Sequence, residues 1–212
     1  MMLAVFGATG KSGQALVAQA LAAGHAVRAL ARTPAKLDPQ AGLSVVAGDA
    51  ADAAAVRATL AGSDAAISLL GNFNRKPNTE VSDATRTIID AMRASGPQRI
   101  VVATTIGVGD SFAPLGSFVF KVIIRFVAKE IWRDRERQEA AVRDSGLDWT
   151  IVRPGGLTDA PATGRWTLID SGAPQPKKVS ITRADLATAL LETVADPMLT
   201  RQTRCIFTDA TG

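Results

Sequence analysis

The chain has 212 residues, of which 47% are apolar and 21% charged, and its formal net charge is +4. This balance predicts a globular protein with a buried core, and the small, scattered charge gives no indication of a nucleic-acid-binding face. One histidine, one cysteine and no tyrosine disfavour a Ser-His-Asp hydrolase or a histidine-rich metal site and exclude an intramolecular disulfide.

The first part of the chain predicts a β-loop-α-β unit. An apolar run, 3–6, precedes the glycine-rich loop, and an alanine-rich helix over 14–24 and a strand over 25–31 follow it. A loop of this kind brings backbone N–H groups close to the pyrophosphate of a dinucleotide. Its glycines recur at every third position: Gly7, Gly10 and Gly13.

The triplet Gly10-Lys11-Ser12 raises the alternative of a nucleoside triphosphate site. That motif needs a glycine five positions before Gly10, where this chain has Val5. The dinucleotide interpretation is therefore favoured.

Strand-like and helix-like stretches alternate along the rest of the chain. Further strands are predicted at 43–50, 64–72, 99–107, 148–156 and 204–209, and helices at 53–62, 81–96, 133–146 and 181–196. Thr182 and Asp185 form a capping-box pattern at the start of the last helix. Such alternation predicts a single α/β domain over 1–212, with a doubly wound parallel sheet of about seven strands and helices on both faces.

Ligands of such sheets bind beyond the carboxyl ends of the strands. The candidate residues are therefore those that follow each strand: the loop 7–13, Arg32, Asp49-Ala50, Gly71-Asn72, Thr104-Thr105 and Pro154-Gly155.

The end of the second strand indicates which dinucleotide is bound. NAD sites place an acidic residue there, whereas NADP sites place a cation against the 2′-phosphate. This chain has Arg32, whose guanidinium suits a phosphate, and Arg28 is expected to point the same way. The sequence thus predicts NADP(H).

Several motifs together resemble a known family. "VFGATGKSG", "ALAR", "GDA", "LLGN", "SGLDWTIVRPGGL" and "ITRADLATALL" are similar to the NmrA-like, atypical short-chain dehydrogenases, and most of all to the biliverdin-IXβ reductase/flavin reductase subgroup. The resemblance covers nearly the whole chain. It implies a Rossmann fold and cofactor contacts from Gly7, Thr9, Gly10, Lys11, Ser12, Gly13, Arg32, Asp49, Ala50, Leu70 and Gly71.

The absence of tyrosine excludes the Tyr-x-x-x-Lys mechanism of alcohol-forming short-chain dehydrogenases. Thr104-Thr105 stands where the resembled subgroup has an active-site serine, and Thr105 is the candidate catalytic residue. Hydride transfer to a flavin, quinone or tetrapyrrole-like acceptor needs no protein acid, because the reduced anion can take its proton from water.

The acceptor is expected to bind between two segments, around 106–132 and 155–180, next to Thr104 and Pro154. Four aromatic residues are available there: Phe112, Phe118, Trp132 and Trp166. Within 117–132, Lys121, Arg125 and Lys129 recur at helical spacing on an otherwise apolar stretch, which is consistent with an interface, a lid or a membrane-surface helix.

Two other functions remain open: an NADP(H)-binding regulator without catalysis, and, less well supported, an NAD-dependent isomerase or epimerase. We expect a cytoplasmic monomer or homodimer with a small-molecule partner, without a signal peptide or membrane span and without nucleic acid or metal. Cys205, in an apolar run, is expected to be buried and inert.

Overall fold

The computed structural model describes residues 1–72, 78–117, 121–176 and 179–208. Its strands are β1 Met2–Phe6, β2 Ala26–Ala31, β3 Leu43–Ala47, β4 Ala65–Ser68, β5 Arg99–Ala103, β6 Asp148–Pro154, β7 Gly156–Thr158, β8 Trp166–Asp170, β9 Ser180–Thr182 and β10 Gln202–Thr208. Its helices are α1 Lys11–Ala22, α2 Ala53–Leu60, α3 Glu80–Ser95, α4 Lys129–Arg143 and α5 Arg183–Ala195.

Eight strands form one sheet in the order β3-β2-β1-β4-β5-β6-β10-β8. The seven strands from β3 to β10 are parallel, and only β8 runs antiparallel, along β10. The central strands are buried on both faces, which explains why they are short apolar runs without alternation. The predicted doubly wound α/β fold is confirmed.

Helices cover both faces of the sheet. Helices α1 and α5 pack on each other over one apolar cluster, whereas α3 packs between α2 and α4 on the other face. Thr182 caps α5 as predicted, because its Oγ1 accepts a hydrogen bond from the Asp185 N–H at 2.9 Å. The Asp185 carboxylate, however, bonds Thr163 and Gly164 instead of completing the capping box.

The prediction of about seven strands omitted three. The partly buried β8 extends the main sheet at its edge, and the three-residue strands β7 and β9 pair with each other. The strand β8 lies where the sequence analysis predicted no regular structure, whereas β7 begins at the predicted end of the strand over 148–156 and β9 overlaps the predicted start of the helix over 181–196. Strands this short depend on partners that are distant in sequence, so local patterning gives little signal for them.

The stretch 117–132 is not one regular helix. Residues 118–120, and with them Phe118, lie outside the described residues, and 123–127 forms a π-helix. Ala128 interrupts the helical backbone, with φ −114° and ψ 13°, before α4 begins at Lys129. A π-helical turn and the break at Ala128 therefore separate Lys121 from Lys129, so that one regular α-helix does not join them. None of the described helices has the length and hydropathy of a membrane span.

Candidate dinucleotide site

The strand order creates a crevice between β1 and β4. From β1 the chain winds outward through β2 to β3, and then returns to β4 on the other side of β1. The loops after β1 and β4 consequently diverge at the carboxyl end of the sheet, which is where such sheets bind ligands. The Leu69 N–H donates to the Phe6 carbonyl at 2.8 Å and keeps the two strand ends together.

The three loop glycines have different reasons to be glycine. Gly7 has φ +87°, and a Cβ there would lie 2.7 Å from the Leu69 carbonyl oxygen; a Cβ on Gly13 would lie 2.2 Å from the Gly7 oxygen. Gly10 has an ordinary φ of −76°, and its nearest neighbour would be the Gly7 oxygen at 3.6 Å. The fold therefore demands Gly7 and Gly13, whereas only a ligand would demand Gly10.

The N-terminus of α1 is suited to an anion. The backbone N–H groups of Lys11, Ser12 and Gly13 are in the first turn, where no helical acceptor exists for them. The cap residue Gly10 provides no side-chain acceptor, and the first turn contains no acidic residue. Together with the helix dipole, these groups favour a phosphate. Half-exposed Thr9 lies at the rim of the loop.

The Lys11 ammonium is engaged elsewhere. Its Nζ lies 2.7 Å from Asp159 Oδ2, and Arg183 Nη1 lies 2.6 Å from the other oxygen of the same carboxylate. The hydrogen bond from Lys11, followed by the charge of Arg183, holds the pKa of Asp159 below its usual value. Asp159 was not predicted as a site residue, because nothing in its local sequence distinguishes it from a surface loop.

The ends of β2 and β3 bring Arg32 and Asp49 together. The Arg32 side chain is 81% exposed, and its Nε lies 3.8 Å from Asp49 Oδ2. Asp49 Oδ1 also accepts a hydrogen bond from the Ala51 N–H at 2.9 Å. Ala50, the residue between Asp49 and Ala51, is buried. Such a loose, exposed ion pair can reorganise around a ligand at low cost.

Arg28 lies deeper in β2 than Arg32 and has a partner of its own. Its guanidinium donates to the Ala61 carbonyl, at the carboxyl end of α2. Because α2 runs back along the sheet, this contact lies toward the amino ends of the strands, away from Arg32. Arg28 therefore has a structural role.

A buried arginine, Arg135, supports the loop after β4. Its Nη1 donates to the Leu70 carbonyl oxygen at 2.8 Å and to Gln138 Oε1 at 2.7 Å. Its Nη2 would lie 3.4 Å from a Cβ on Gly71. Burial lowers its pKa to about 10, although the nearby charges of Asp134 and Glu139 act to raise it. The guanidinium is therefore still charged at neutral pH.

The sequence analysis missed Arg135, because charged residues on a helix normally face water. The buried side of α4 comprises Asp134, Arg135, Gln138, Glu139 and Val142. These positions follow the helical period of a core-facing stripe, although only one of them is apolar. A periodic stripe of charged residues was therefore the available signal.

The two threonines after β5 differ in environment. The Thr104 hydroxyl is buried and donates to Glu139 Oε1 at 2.8 Å. The half-buried Thr105 hydroxyl makes a long bond to the Ile106 carbonyl oxygen at 3.4 Å, which is weak enough to exchange for a ligand. Thr104 is thus committed to the protein, and Thr105 is the hydroxyl that remains available.

A fully buried arginine, Arg153, organises the neighbouring loops. Its Nε and Nη2 donate to the two oxygens of Glu139 at 3.0 and 2.7 Å, and its Nη1 donates to Asp110 at 2.5 Å. Asp110 also accepts a hydrogen bond from the Ser171 hydroxyl. Burial alone would raise the pKa of Asp110, but the bonds from Ser171 and Arg153 hold it below its usual value.

Pro154, the last residue of β6, is buried beside this network. Its carbonyl oxygen accepts a hydrogen bond from the Ile106 N–H at 3.0 Å and so joins the segments that follow β5 and β6. Cys205 packs in the same region, where burial raises the pKa of its thiol to about 11. The thiol is therefore protonated at neutral pH and is not a nucleophile.

The described aromatic residues of these two segments pack against the protein. Phe112 and Trp132 pack partly buried against the cluster around Ile106 and Cys205, and Trp166 packs against the core under α1 and α5. They serve as packing groups at the edge of the site.

A protein-family model described as NAD(P)H-binding matches residues 7–197. The chain belongs to this NAD(P)H-binding family. The resemblance inferred from the motifs is thereby confirmed, and so is the prediction of a nicotinamide dinucleotide as cofactor.

A solved structure of ChuY, an anaerobilin reductase from Escherichia coli O157:H7, is similar to this chain over its full length. It is 31% identical, with a TM-score of 0.83 and coverage of 100% of this chain and 99% of that chain. A (4-alkanoyl-5-oxo-2,5-dihydrofuran-3-yl)methyl phosphate reductase of Streptomyces griseus is 35% identical over 72% of this chain. An uncharacterized chloroplastic protein of Arabidopsis thaliana is 30% identical over 76%. The chain spans 47% and 60% of the lengths of these two curated relatives.

Proposed function

We propose that this protein is an NADPH-dependent reductase that transfers hydride to a flavin, quinone or tetrapyrrole-like acceptor. The observation that carries the proposal is the end-to-end similarity to an anaerobilin reductase, a protein whose name identifies a tetrapyrrole-type substrate. The reductase named among the curated relatives supports the reaction class. A regulator without catalysis is the alternative.

The site residues that we assign to the cofactor follow the sheet edge. The loop from Gly7 to Gly13 would hold the pyrophosphate, and Leu70 and Gly71 would lie along the pyrophosphate and ribose. Arg32, Asp49 and Ala50 would hold the adenosine half, and Thr104 and Pro154 would flank the nicotinamide. NADPH, when bound, supplies the hydride. The chain's own contribution is to bind, to orient and to exclude water, which accounts for much of the rate enhancement of such reactions.

Proton delivery distinguishes the candidate acceptors. Thr105 offers a hydroxyl for orientation, but an unactivated threonine is a poor acid at neutral pH. An acceptor whose reduced form is a stabilised anion can take its proton from water, whereas a simple ketone requires a protein acid that typically contributes about 10²–10⁴-fold. The missing tyrosine therefore favours conjugated acceptors.

The segments around 106–132 and 155–180 are our proposed acceptor side. Their described parts meet directly: Asp110 pairs with Arg153 and Ser171, and the Gln175 amide donates to the Ser111 carbonyl at 3.3 Å. This side of the site is therefore built by two segments that are braced against each other.

Arg32→Ala is expected to weaken NADPH binding ten- to a hundredfold, with NADH binding almost unchanged. The lost contact is a charge-assisted hydrogen bond to the 2′-phosphate, worth about 1.5–3 kcal/mol. Fluorescence titration with both cofactors measures the effect. Arg86→Ala, an exposed arginine on α3, is the control and should bind both as the wild type does. An unchanged NADPH dissociation constant in Arg32→Ala would mean that Arg32 does not contact the 2′-phosphate.

Thr105→Ala is expected to lower turnover by about tenfold or less, because orientation is lost and acid catalysis is not. Steady-state kinetics with a flavin acceptor measures this. A fall of about a thousandfold would instead show that the hydroxyl relays the proton. Thr104→Ala is the contrasting variant: its main effect should be on stability, because it leaves a buried oxygen of Glu139 without that donor.

The proposed function itself is tested by following NADPH oxidation with FMN, a quinone, a linear tetrapyrrole and a simple ketone. Turnover of one or more conjugated acceptors and failure on the ketone is the expected result. Tight NADPH binding without turnover of any of them would favour the regulator. Efficient ketone reduction would contradict the role we give to the missing tyrosine.

A further inference from the structure

An exposed segment leaves the end of β6 and turns back toward α1. It runs from Gly155 to Arg165 and is called the strap here; residues 156–165 are all exposed. The Gly155 N–H donates to the Ile206 carbonyl at 2.9 Å, and β7 within the strap pairs with β9. The first part of the strap is therefore anchored by backbone hydrogen bonds.

The far part of the strap is anchored on α5. Asp185, which is buried, accepts hydrogen bonds from the Thr163 N–H and hydroxyl and from the Gly164 N–H, at 2.8–3.0 Å. Between the two anchors lies Asp159, which directly follows β7. The strap is thus held in place at both ends, and Asp159 lies between the two anchors.

Asp159 connects the strap to the dinucleotide loop. One carboxylate oxygen pairs with Lys11 and the other with Arg183, so that one side chain links the start of α1 to the start of α5. The three residues border a cleft of about 280 Å³ that Gln14, Ala15, Thr158, Ala160 and Ala184 also line. Lys11 is the residue next to Gly10, at the N-terminus that favours a phosphate.

The position of the strap relates it to the cofactor groove. It starts at the carboxyl end of β6, three strands from β1 in the sheet order, and reaches the first turn of the helix that follows β1. It therefore spans the edge of the sheet along which a dinucleotide lies. We infer that Asp159 is a cofactor-retaining residue, which fastens the strap across the groove so that release of NAD(P)H requires both ion pairs to open.

The strength of the fastening suits a reversible latch. The side chains of Lys11 and Asp159 are 71% and 58% exposed, and that of Arg183 is 24% exposed. Exposed ion pairs are weak and are screened by salt. The closed latch therefore slows cofactor release only moderately, and this effect disappears at high ionic strength.

The test is the rate of NADPH release, measured by stopped-flow fluorescence after mixing the loaded protein with excess NADP⁺. Asp159→Asn keeps the shape of the side chain and removes its charge, and we expect it to release NADPH about two- to fivefold faster. Between about 0.01 M and 1 M ionic strength the Debye length falls from about 30 Å to about 3 Å. Over this range the wild-type release rate should rise, relative to that of the variant, by the same factor, so that the two rates become equal at high salt. The matched control is Asp83→Asn, an exposed aspartate paired with Arg86 on α3.

Equal release rates in Asp159→Asn and the wild type would overturn the latch. Slower release from the variant would also overturn it, because Asp159 would then compete with the cofactor phosphates for Lys11. The measurement needs no acceptor, so it stands or fails independently of the proposed reductase activity.

Discussion

Glu139→Ala is expected to lower the free energy of unfolding by about 3–5 kcal/mol. Glu139 and Arg153 are both fully buried, and they share two hydrogen bonds. Removing the carboxylate leaves the Arg153 charge without its main partner and the Thr104 hydroxyl without its acceptor. Urea unfolding followed by circular dichroism measures the loss.

Two further variants separate the buried pair from a general helix effect. Glu136→Ala makes the same substitution at an exposed position on the same helix and should change stability by less than about 0.5 kcal/mol. Replacing both partners, as in Glu139→Leu with Arg153→Met, should cost less than Glu139→Ala alone, because no unpaired charge is left. A loss below about 1 kcal/mol in Glu139→Ala would mean that water reaches Arg153.

Gly10→Val is expected to weaken NADPH binding more than about a hundredfold, or about 2.7 kcal/mol, while the protein stays folded. The backbone of Gly10 suits any residue, and a Cβ there would make only an ordinary contact, 3.6 Å from the Gly7 carbonyl oxygen. A side chain there would stand between the N-terminus of α1 and the phosphates that it binds. Titration and a thermal melt on the same sample measure both quantities.

Gly13→Ala provides the contrast. Its Cβ would lie 2.2 Å from the Gly7 carbonyl oxygen, so we expect a loss of about 1–3 kcal/mol in stability before any cofactor is added. Normal NADPH binding by Gly10→Val would mean that the dinucleotide does not approach the loop from this side.

The architecture was predictable because its signals are local. Short apolar runs, alanine-rich helices and a glycine-rich loop each follow from a few neighbouring residues, and their alternation implies the parallel sheet. The strand β8 and the ribbon of β7 with β9 were not predictable in this way. Their hydrogen bonds go to residues tens of positions away, and the three-residue strands have no period to detect.

The residues of the candidate site also differ in whether the sequence could identify them. Residues that follow strands, such as Arg32 and Thr105, could be proposed from topology alone. Arg135 and Asp159 could not, because charged residues on a helix or an exposed loop normally face water. Only the fold shows that one lies buried beneath the Leu70 carbonyl and that the other pairs with Lys11.

The contacts of Arg153 limit how this protein can be redesigned by exchanging segments with relatives. Its guanidinium joins α4, through Glu139, to the loop carrying Asp110, and the Asp110 carboxylate joins that loop to the hydroxyl of Ser171 beyond β8. A chimera that imports only one of these pieces would place a foreign surface against a buried cation. An attempt to transfer the substrate preference of a relative should therefore exchange the loop after β5 and the turn after β8 together, and should keep Glu139.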